Sequence, residues 1–172
     1  FIDAFGLRIE EMCRTKLEYL MSALKNGQLV VPKGKGGQKR NITLNLTQRA
    51  LIIRYVEYFQ ARGLRPGDYL ISGSEKHGVL DAKRSLQNWM SYNREKFMVK
   101  DRDKIVEEGK KKRHATISWH GLRHGYAQKT HEEALKDNPR QAQKIVSENL
   151  GHHRYKVTRI YLAEAKTKKK TK

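Results

Sequence analysis

The sequence predicts a mainly α-helical domain with a small antiparallel β-sheet, an α+β fold. Apolar residues recur at helical spacing in several long segments, and this period is typical of amphipathic helices. Two short extended runs enclose a loop rich in glycine and lysine, which predicts a single β-hairpin. A chain of 172 residues fits one domain around one buried core.

Capping residues and breaks divide the chain into its predicted elements. Gly27 follows the first apolar helix as a C-terminal cap, and Thr47 precedes the next helix as an N-cap, which are the positions that these residue types favour. In chain order, the predicted elements are a helix over 7–24, strands at 28–32 and 41–46, and helices over 47–62, 82–97, 118–131, 139–149 and 155–165.

The predicted domain covers residues 1–165. Residues 166–172 are a basic tail of low complexity, which we expect to be disordered. The stretch 100–113 contains many charges of both signs and is predicted to be a solvated insertion. The chain opens at Phe1 directly into a helix-like segment, so we interpret it as a fragment of a longer protein.

The charge of the chain indicates a polyanionic partner. The formal net charge is +19 and the pI is about 10.1, which favours nucleic acid. An anionic membrane surface is the alternative, but no basic amphipathic helix with Trp and Leu on one face stands out. No apolar run approaches membrane-spanning length, and no signal peptide is visible. The single cysteine, Cys13, excludes an internal disulfide and is interpreted as a small core residue.

The C-terminal third contains residues suited to phosphate chemistry. His120 and Arg123 lie three positions apart in the segment His-Gly-Leu-Arg, so they share one helix face. A Leu-Gly-His segment places His152 nine residues before Tyr161. In such a set, cationic or donor groups can hold a phosphate, another group can transfer protons, and a phenol can attack.

These segments resemble the tyrosine recombinase family (phage-type integrases), whose catalytic domains contain an H-x-L-R box and an L-G-H box with the nucleophilic tyrosine nine residues after its histidine. Arg8, in Gly-Leu-Arg, followed by Glu11 resembles the family's first-arginine box, G-L-R-x-x-E. Lys35 precedes Leu44 by nine residues, which is similar to the hairpin that carries the family's catalytic lysine. The resemblance spans about 6–165 and implies the tyrosine recombinase catalytic-domain fold.

The resemblance implies a transesterification on DNA. Arg8 and Arg123 would hold the scissile phosphate, because a guanidinium stays charged and binds two oxygens at once. Tyr161 would be the nucleophile, although in isolation it is an ordinary helix tyrosine beside apolar neighbours. Lys35 would protonate the departing 5′ oxygen.

The remaining matched residues have supporting roles. His120 maps onto the family position that assists the tyrosine, and His152 onto the one that donates a hydrogen bond to the phosphate. Glu11 lies one turn from Arg8 and is expected to orient it, and His124 is expected to give structural support. The basic residues Lys33, Lys39 and Arg40 are expected to contact DNA.

The family resemblance predicts a site-specific DNA recombinase that needs no metal ion and no cofactor. Its partners would be double-stranded DNA and, in the full-length protein, three further copies in a tetramer. The family's N-terminal core-binding domain is absent from the chain, and a cytoplasmic location at a prokaryotic nucleoid is expected. Two alternatives stay open: a DNA-binding regulatory module of the same fold without turnover, and a type IB topoisomerase-like strand cleavage, against which the L-G-H box argues.

Overall fold

The computed structural model describes residues 1–31, 39–71, 78–98, 117–152, 158–160 and 162. Helices dominate these residues, and two short strands pair antiparallel, so the predicted fold class is confirmed. In chain order the elements are α1 (Ile2–Phe5), α2 (Ile9–Cys13), α3 (Leu17–Asn26), β1 (Gln28–Val31), β2 (Arg40–Thr43), α4 (Leu46–Ala61), α5 (Gly78–Asn93), a 3₁₀ turn (Arg94–Phe97), α6 (Trp119–Asp137) and α7 (Ala142–Leu150). Residues 158–160 are helical.

The two strands form the predicted hairpin, and β2 is shorter than predicted. Their register pairs Gln28 with Thr43 and Val31 with Arg40. Alternate side chains of β1 are buried, as expected for a sheet with one face on the core. Because Arg40 is the first residue of β2 and pairs with the buried Val31, the hairpin fixes its backbone at the edge of the core.

The segment predicted as one helix over 7–24 consists of two helices. The chain leaves α2 at Arg14 and becomes extended at Lys16, which pairs with Tyr69 in an isolated bridge. Leu17 N–H donates to the Asp68 carbonyl at 3.1 Å, so the break is satisfied by a distant loop. The apolar period continues through the break because both helices face the same core, and periodicity alone therefore does not reveal it.

Helix ends also differ from the predictions, and Thr47 is not the N-cap of α4. Asn45 Oδ1 accepts from Gln48 N–H at 2.8 Å, and Gln48 Oε1 accepts from Asn45 N–H at 3.1 Å. This reciprocal capping box places the N-cap two residues earlier than predicted. The other shifted ends are the start of α5 at Gly78, its end at Asn93, the end of α6 at Asp137 and the start of α7 at Ala142.

The main core lies among α1, α3, the hairpin and α4. Its fully buried apolar side chains include Phe5, Leu17, Leu20, Leu29, Ile42 and Ile52. Cys13 is also fully buried, which confirms its predicted place in the core, and burial raises the pKa of its thiol to about 11. No helix in the described ranges is long and apolar enough to cross a membrane.

Gly6 brings the start of α2 against α6. Its φ is +60°, and an added Cβ would lie 2.3 Å from Cδ1 of Tyr126 on α6. Only glycine fits such a close approach with a left-handed backbone. The turn before α2 therefore packs directly on α6, which places the Gly6 carbonyl beside Arg123.

Candidate active site

Eight of the eleven predicted site residues lie in the described part of the chain. The structure joins five of them in one hydrogen-bonded cluster: Arg8, Glu11, Arg40, Arg123 and His152. His120 and His124 lie beside this cluster on α6, and Lys39 is exposed. Lys33, Lys35 and Tyr161 lie outside the described residues, so their roles stay predictions.

Arg8 and Glu11 hold each other at the start of α2. Arg8 is the N-cap residue, and its backbone N–H donates to Glu11 Oε2 at 2.7 Å. Its guanidinium Nη1 donates to Glu11 Oε1 at 2.8 Å. The Glu11 side chain is 1% exposed and that of Arg8 is 26% exposed. Arg8 is thus oriented by a buried carboxylate while its side chain stays partly exposed.

Arg40, which the sequence predicts to contact DNA, lies within this cluster. Its side chain is 8% exposed. Nη1 donates to Glu11 Oε1 at 2.7 Å, Nη2 to Glu11 Oε2 at 2.8 Å, and Nε to the Asn149 carbonyl at 2.8 Å. The guanidinium therefore points into the cluster and forms a buried ion pair there, and the predicted DNA contact of Arg40 stays a prediction.

Arg123 forms the floor of the cluster and is 1% exposed. It donates through Nη1 to the Gly6 carbonyl and through Nη2 to the Leu150 carbonyl, the latter at 2.6 Å. Its Nη1 also lies 3.8 Å from Glu11 Oε2. One side chain on α6 thereby ties the turn before α2 to the end of α7.

Three guanidinium groups surround the single carboxylate of Glu11. Burial alone would raise the pKa of Glu11, but hydrogen bonds and charge from Arg40 and Arg8 outweigh that effect and hold the pKa below its ordinary value. Glu11 is therefore ionised at neutral pH. The buried charge is stabilised by these pairs, as a charge in the interior of a protein requires.

His152 stands between Arg123 and Thr158. The αL cap Gly151 ends α7 and turns the chain toward the cluster. His152 Nε2 lies 3.4 Å from Arg123 Nη2, and His152 Nδ1 lies 3.1 Å from Thr158 Oγ1. Burial, followed by the charges of Arg123 and Arg8, lowers the pKa of His152 to about 4. The imidazole is neutral at pH 7 and has one donor and one acceptor nitrogen.

His120 lies in the first turn of α6, on the same helix face as Arg123. Ser118 caps this helix by accepting from Gly121 N–H at 3.0 Å. The His120 ring meets that of His124 edge-on, with centroids 4.7 Å apart. Burial, then the charges of Arg123 and Arg8, lower the pKa of His120 below 6.5. His120 is thus a neutral, exposed imidazole able to accept a proton.

A cavity of about 200 Å³ opens beside these side chains. It brings together Arg8, His120 and Arg123 with a further cation, Lys83 of α5. The whole lining consists of Leu7, Arg8, Ile9, Glu10, Lys83, Trp119, His120 and Arg123. The acidic member, Glu10, pairs with Arg14 at 3.1 Å. The cavity therefore presents a basic wall suited to a phosphate group.

Sequence reasoning missed two members of this site, Lys83 and Thr158. In the sequence, nothing distinguishes Lys83 from the neighbouring Arg84. The structure distinguishes them by burial, because Lys83 is half-buried and Arg84 is exposed. Thr158 precedes Tyr161 by three residues, and this spacing on a predicted helix was a usable signal. No group of three or more metal-ligating side chains occurs among the described residues.

The match to a family profile defines the class of protein. The profile of the Phage integrase family matches residues 2–168. The chain therefore belongs to the phage integrase family, the tyrosine recombinases, as the sequence motifs predict.

A curated relative is the tyrosine recombinase XerA of Pyrococcus furiosus. It is 26% identical over 156 residues, which are 91% of this chain and 45% of the relative. The chain thus spans less than half the length of that protein. No solved structure matches the chain.

Proposed function

We propose that this chain is the catalytic domain of a site-specific recombinase that cleaves and rejoins DNA through Tyr161. Membership of the phage integrase family supports a role in DNA recombination. The observation that carries the proposal is the shared cavity of Arg8, Arg123 and His120, with His152 in contact with Arg123. This arrangement matches what phosphoryl transfer requires: fixed positive charge with a proton acceptor beside it.

In the proposed cleavage step the Tyr161 oxygen attacks the phosphorus of one DNA strand. The bond from phosphorus to O5′ breaks, which leaves a 3′-phosphotyrosyl link and a free 5′-hydroxyl. The phenol proton passes to a base, for which His120 is the candidate, and Lys35 supplies the proton that O5′ gains. A 5′-hydroxyl of a partner strand reverses these steps and rejoins the DNA.

Arg8, Arg123 and Lys83 act on the phosphate in this proposal. Negative charge grows on the non-bridging oxygens as the nucleophile attacks, and fixed cations directed at those oxygens stabilise the transition state most. Arg8 is the partly exposed member and is expected to contact the phosphate first. Arg123 is held by two main-chain carbonyls, so it is already positioned before substrate arrives.

His120 and His152 have different roles in the proposed reaction. His120 is exposed and neutral, so it can take up the phenol proton at neutral pH. His152 is neutral and lies next to Arg123. Since Arg123 can only donate, Nε2 is the acceptor in this contact and Nδ1 donates to the Thr158 hydroxyl. Donation from Nε2 to the phosphate requires the other tautomer, in which the Thr158 hydroxyl donates to Nδ1, and a hydroxyl can serve in both. The position of Thr158 thus suits the role proposed for His152.

The proposed partners are double-stranded DNA and further copies of the full-length protein. The net charge of +19 suits electrostatic binding to the DNA backbone. A homotetramer on two duplexes, action in the cytoplasm on prokaryotic DNA, and residues 1–165 as the catalytic unit complete the proposal. A regulatory module without turnover is the alternative, and covalent chemistry distinguishes the two.

The test uses nicked duplexes tiled across the DNA that flanks the gene. A nick close to the scissile bond releases a short strand after cleavage and traps the covalent protein–DNA adduct. We expect an adduct whose peptide map assigns the link to Tyr161, its loss in Tyr161→Phe, and its retention in the control Tyr155→Phe. Binding without any adduct would favour the regulatory module, and a link to Tyr155 would contradict the assignment of the nucleophile.

A further inference from the structure

Glu11 presents an electrostatic difficulty for a site that binds phosphate. Its carboxylate is buried and lies 2.8 Å from Arg8 and 3.8 Å from Arg123, the two arginines proposed to hold the phosphate. A carboxylate so close competes with the phosphate for both guanidinium groups and repels the incoming anion. The low dielectric of a buried site strengthens both effects.

Arg40 is the group that compensates the negative charge of Glu11. It donates to both oxygens of Glu11, at 2.7 and 2.8 Å, in the bidentate geometry that makes arginine–carboxylate pairs strong. Glu11 with Arg8 and Arg123 alone has a formal charge of +1. With Arg40 the charge is +2, which equals the two negative charges that a five-coordinate phosphorane carries on its non-bridging oxygens.

The surroundings of Arg40 fit an internal counter-ion. Its Nε donates to the Asn149 carbonyl at 2.8 Å, one residue before the Leu150 carbonyl that holds Arg123. Gly151 packs against it, since a Cβ on that glycine would lie 3.0 Å from Arg40 Cδ. Arg40 thus links β2 to the end of α7, from which His152 emerges, and it has no place in the lining of the phosphate cavity.

We propose that Arg40 is a positioning residue of the active site: by engaging both oxygens of Glu11, it leaves the charges of Arg8 and Arg123 to the phosphate. The inference rests on the proposed function and adds to it a residue that acts without touching DNA. The proposed role predicts how the cleavage rate depends on the charge of Glu11. Removing the Arg40 charge should impair cleavage mainly because Glu11 remains charged, so removal of that second charge should restore part of the rate.

The experiment is a double-mutant cycle on the nicked duplex that forms the adduct. Arg40→Met should slow single-turnover cleavage by roughly 10²-fold, the usual effect of losing one group that stabilises the transition-state charge. DNA affinity should fall much less than the cleavage rate, because many cations share DNA binding, and its salt dependence should stay at the value of the unsubstituted protein. The double variant Arg40→Met/Glu11→Gln should cleave at least about tenfold faster than Arg40→Met, a coupling typical of residues in one charge network.

Two further variants separate the roles of charge and shape. Arg40→Lys keeps the charge but cannot engage both carboxylate oxygens in one plane, so its cleavage rate should fall between those of Arg40 and Arg40→Met. If Arg40→Met does not fold, Arg40→Gln replaces it, since it is neutral and keeps a donor for Asn149. If neither folds, recovery of folded protein by adding Glu11→Gln supports the counter-ion role, and continued failure to fold overturns it.

The pair of Arg65 and Asp68, with Nε to Oδ2 at 3.5 Å, Arg65 82% exposed and Asp68 20% exposed, provides a control away from the site. Arg65→Met and Arg65→Met/Asp68→Asn should both cleave as the unsubstituted protein does. A double Arg40→Met/Glu11→Gln variant slower than both single variants would overturn the inference, since it would indicate packing alone. So would a loss of DNA affinity in Arg40→Met with the salt slope reduced by about 1, which is the sign of a direct phosphate contact.

The unsubstituted protein distinguishes failure of the inference from failure of the proposed function. If it forms the adduct and Glu11→Gln gives no rescue, the role of Arg40 is wrong while the recombinase chemistry stands. If it forms no adduct on any duplex, the proposed function fails, and the role of Arg40 fails with it.

Discussion

Nδ1 of His152 lies 3.1 Å from the hydroxyl oxygen of Thr158. Thr158 follows His152 by six residues and is fully buried. The contact fixes the plane of an imidazole whose other nitrogen faces Arg123. Because a hydroxyl can donate or accept, this contact orients the ring in either neutral tautomer.

Replacement of Thr158 by valine tests this contact. Thr158→Val keeps the shape but removes the hydroxyl, so we expect cleavage to slow by about five- to tenfold, the effect of losing one net hydrogen bond. Thr158→Ser keeps the hydroxyl and should retain most of the rate. The measurement is single-turnover cleavage of a nicked duplex, and equal rates for Thr158→Val and Thr158→Ser would show that the hydroxyl does not matter.

The pH dependence of cleavage should reflect His120. Burial, followed by the charges of Arg123 and Arg8, lowers the pKa of His120 below that of an ordinary histidine, so the imidazole takes up its proton only at a more acidic pH. A proton acceptor must be neutral, and the rate should therefore fall as the pH drops through the pKa of His120, at a more acidic pH than for an ordinary histidine. The pKa of His152 is about 4, so its own protonation should affect the rate only at lower pH.

The control for this profile is His120→Gln, which cannot titrate. It should cleave slowly, and its rate should lack the acidic limb assigned to His120. An unchanged limb in His120→Gln would assign the titration to another group.

The close contact of Gly6 with Tyr126 predicts a large stability effect. Gly6→Ala combines a left-handed φ of +60° with a Cβ 2.3 Å from a buried ring, so we expect the free energy of unfolding to fall by roughly 2–4 kcal/mol. Gly63→Ala is the control. Its φ is +79° but no atom lies within 4 Å of the added Cβ, so it should lose only about 1 kcal/mol. Denaturant titration measures both, and equal losses would contradict the steric contact.

The predictability of this site from sequence depends on how far apart its members lie. Arg8 and Glu11 are three residues apart, and a shared helix turn made their contact predictable. Arg40 looks the same as Lys33 and Lys39 in a basic segment, and its burial depends on strand pairing and on Asn149, 109 positions away. Such a contact arises only when the tertiary structure forms, and no local pattern encodes it.

Arg8 and Lys83 should differ in how strongly they affect cleavage. Arg8→Ala removes the donor proposed to bind the phosphate and should slow cleavage by roughly 10²-fold, with a much smaller loss of DNA affinity. Lys83→Met removes a point charge from the cavity wall and should slow cleavage by about tenfold, equal to about 1.4 kcal/mol of transition-state stabilisation. Arg84→Met is the control, because Arg84 is 77% exposed and pairs with Asp81. Equal effects of Lys83→Met and Arg84→Met would remove Lys83 from the site.

The last prediction concerns Lys35, whose assignment rests on its spacing from Leu44. An alkoxide is strongly basic and must gain a proton as the P–O bond breaks, whereas a thiolate, with a pKa near 8.5, departs unaided. Lys35→Ala should therefore cleave ordinary DNA very slowly and regain most of its rate on DNA with sulfur at the 5′-bridging position.

The neighbouring lysines provide matched controls, and Lys33→Ala and Lys39→Ala should show only modest losses of binding and no selective rescue by sulfur. Selective rescue of one of them would move the general acid to that lysine. Without rescue in any of the three, the proton comes from another group, and His120 in the cavity beside Arg8 is the next candidate.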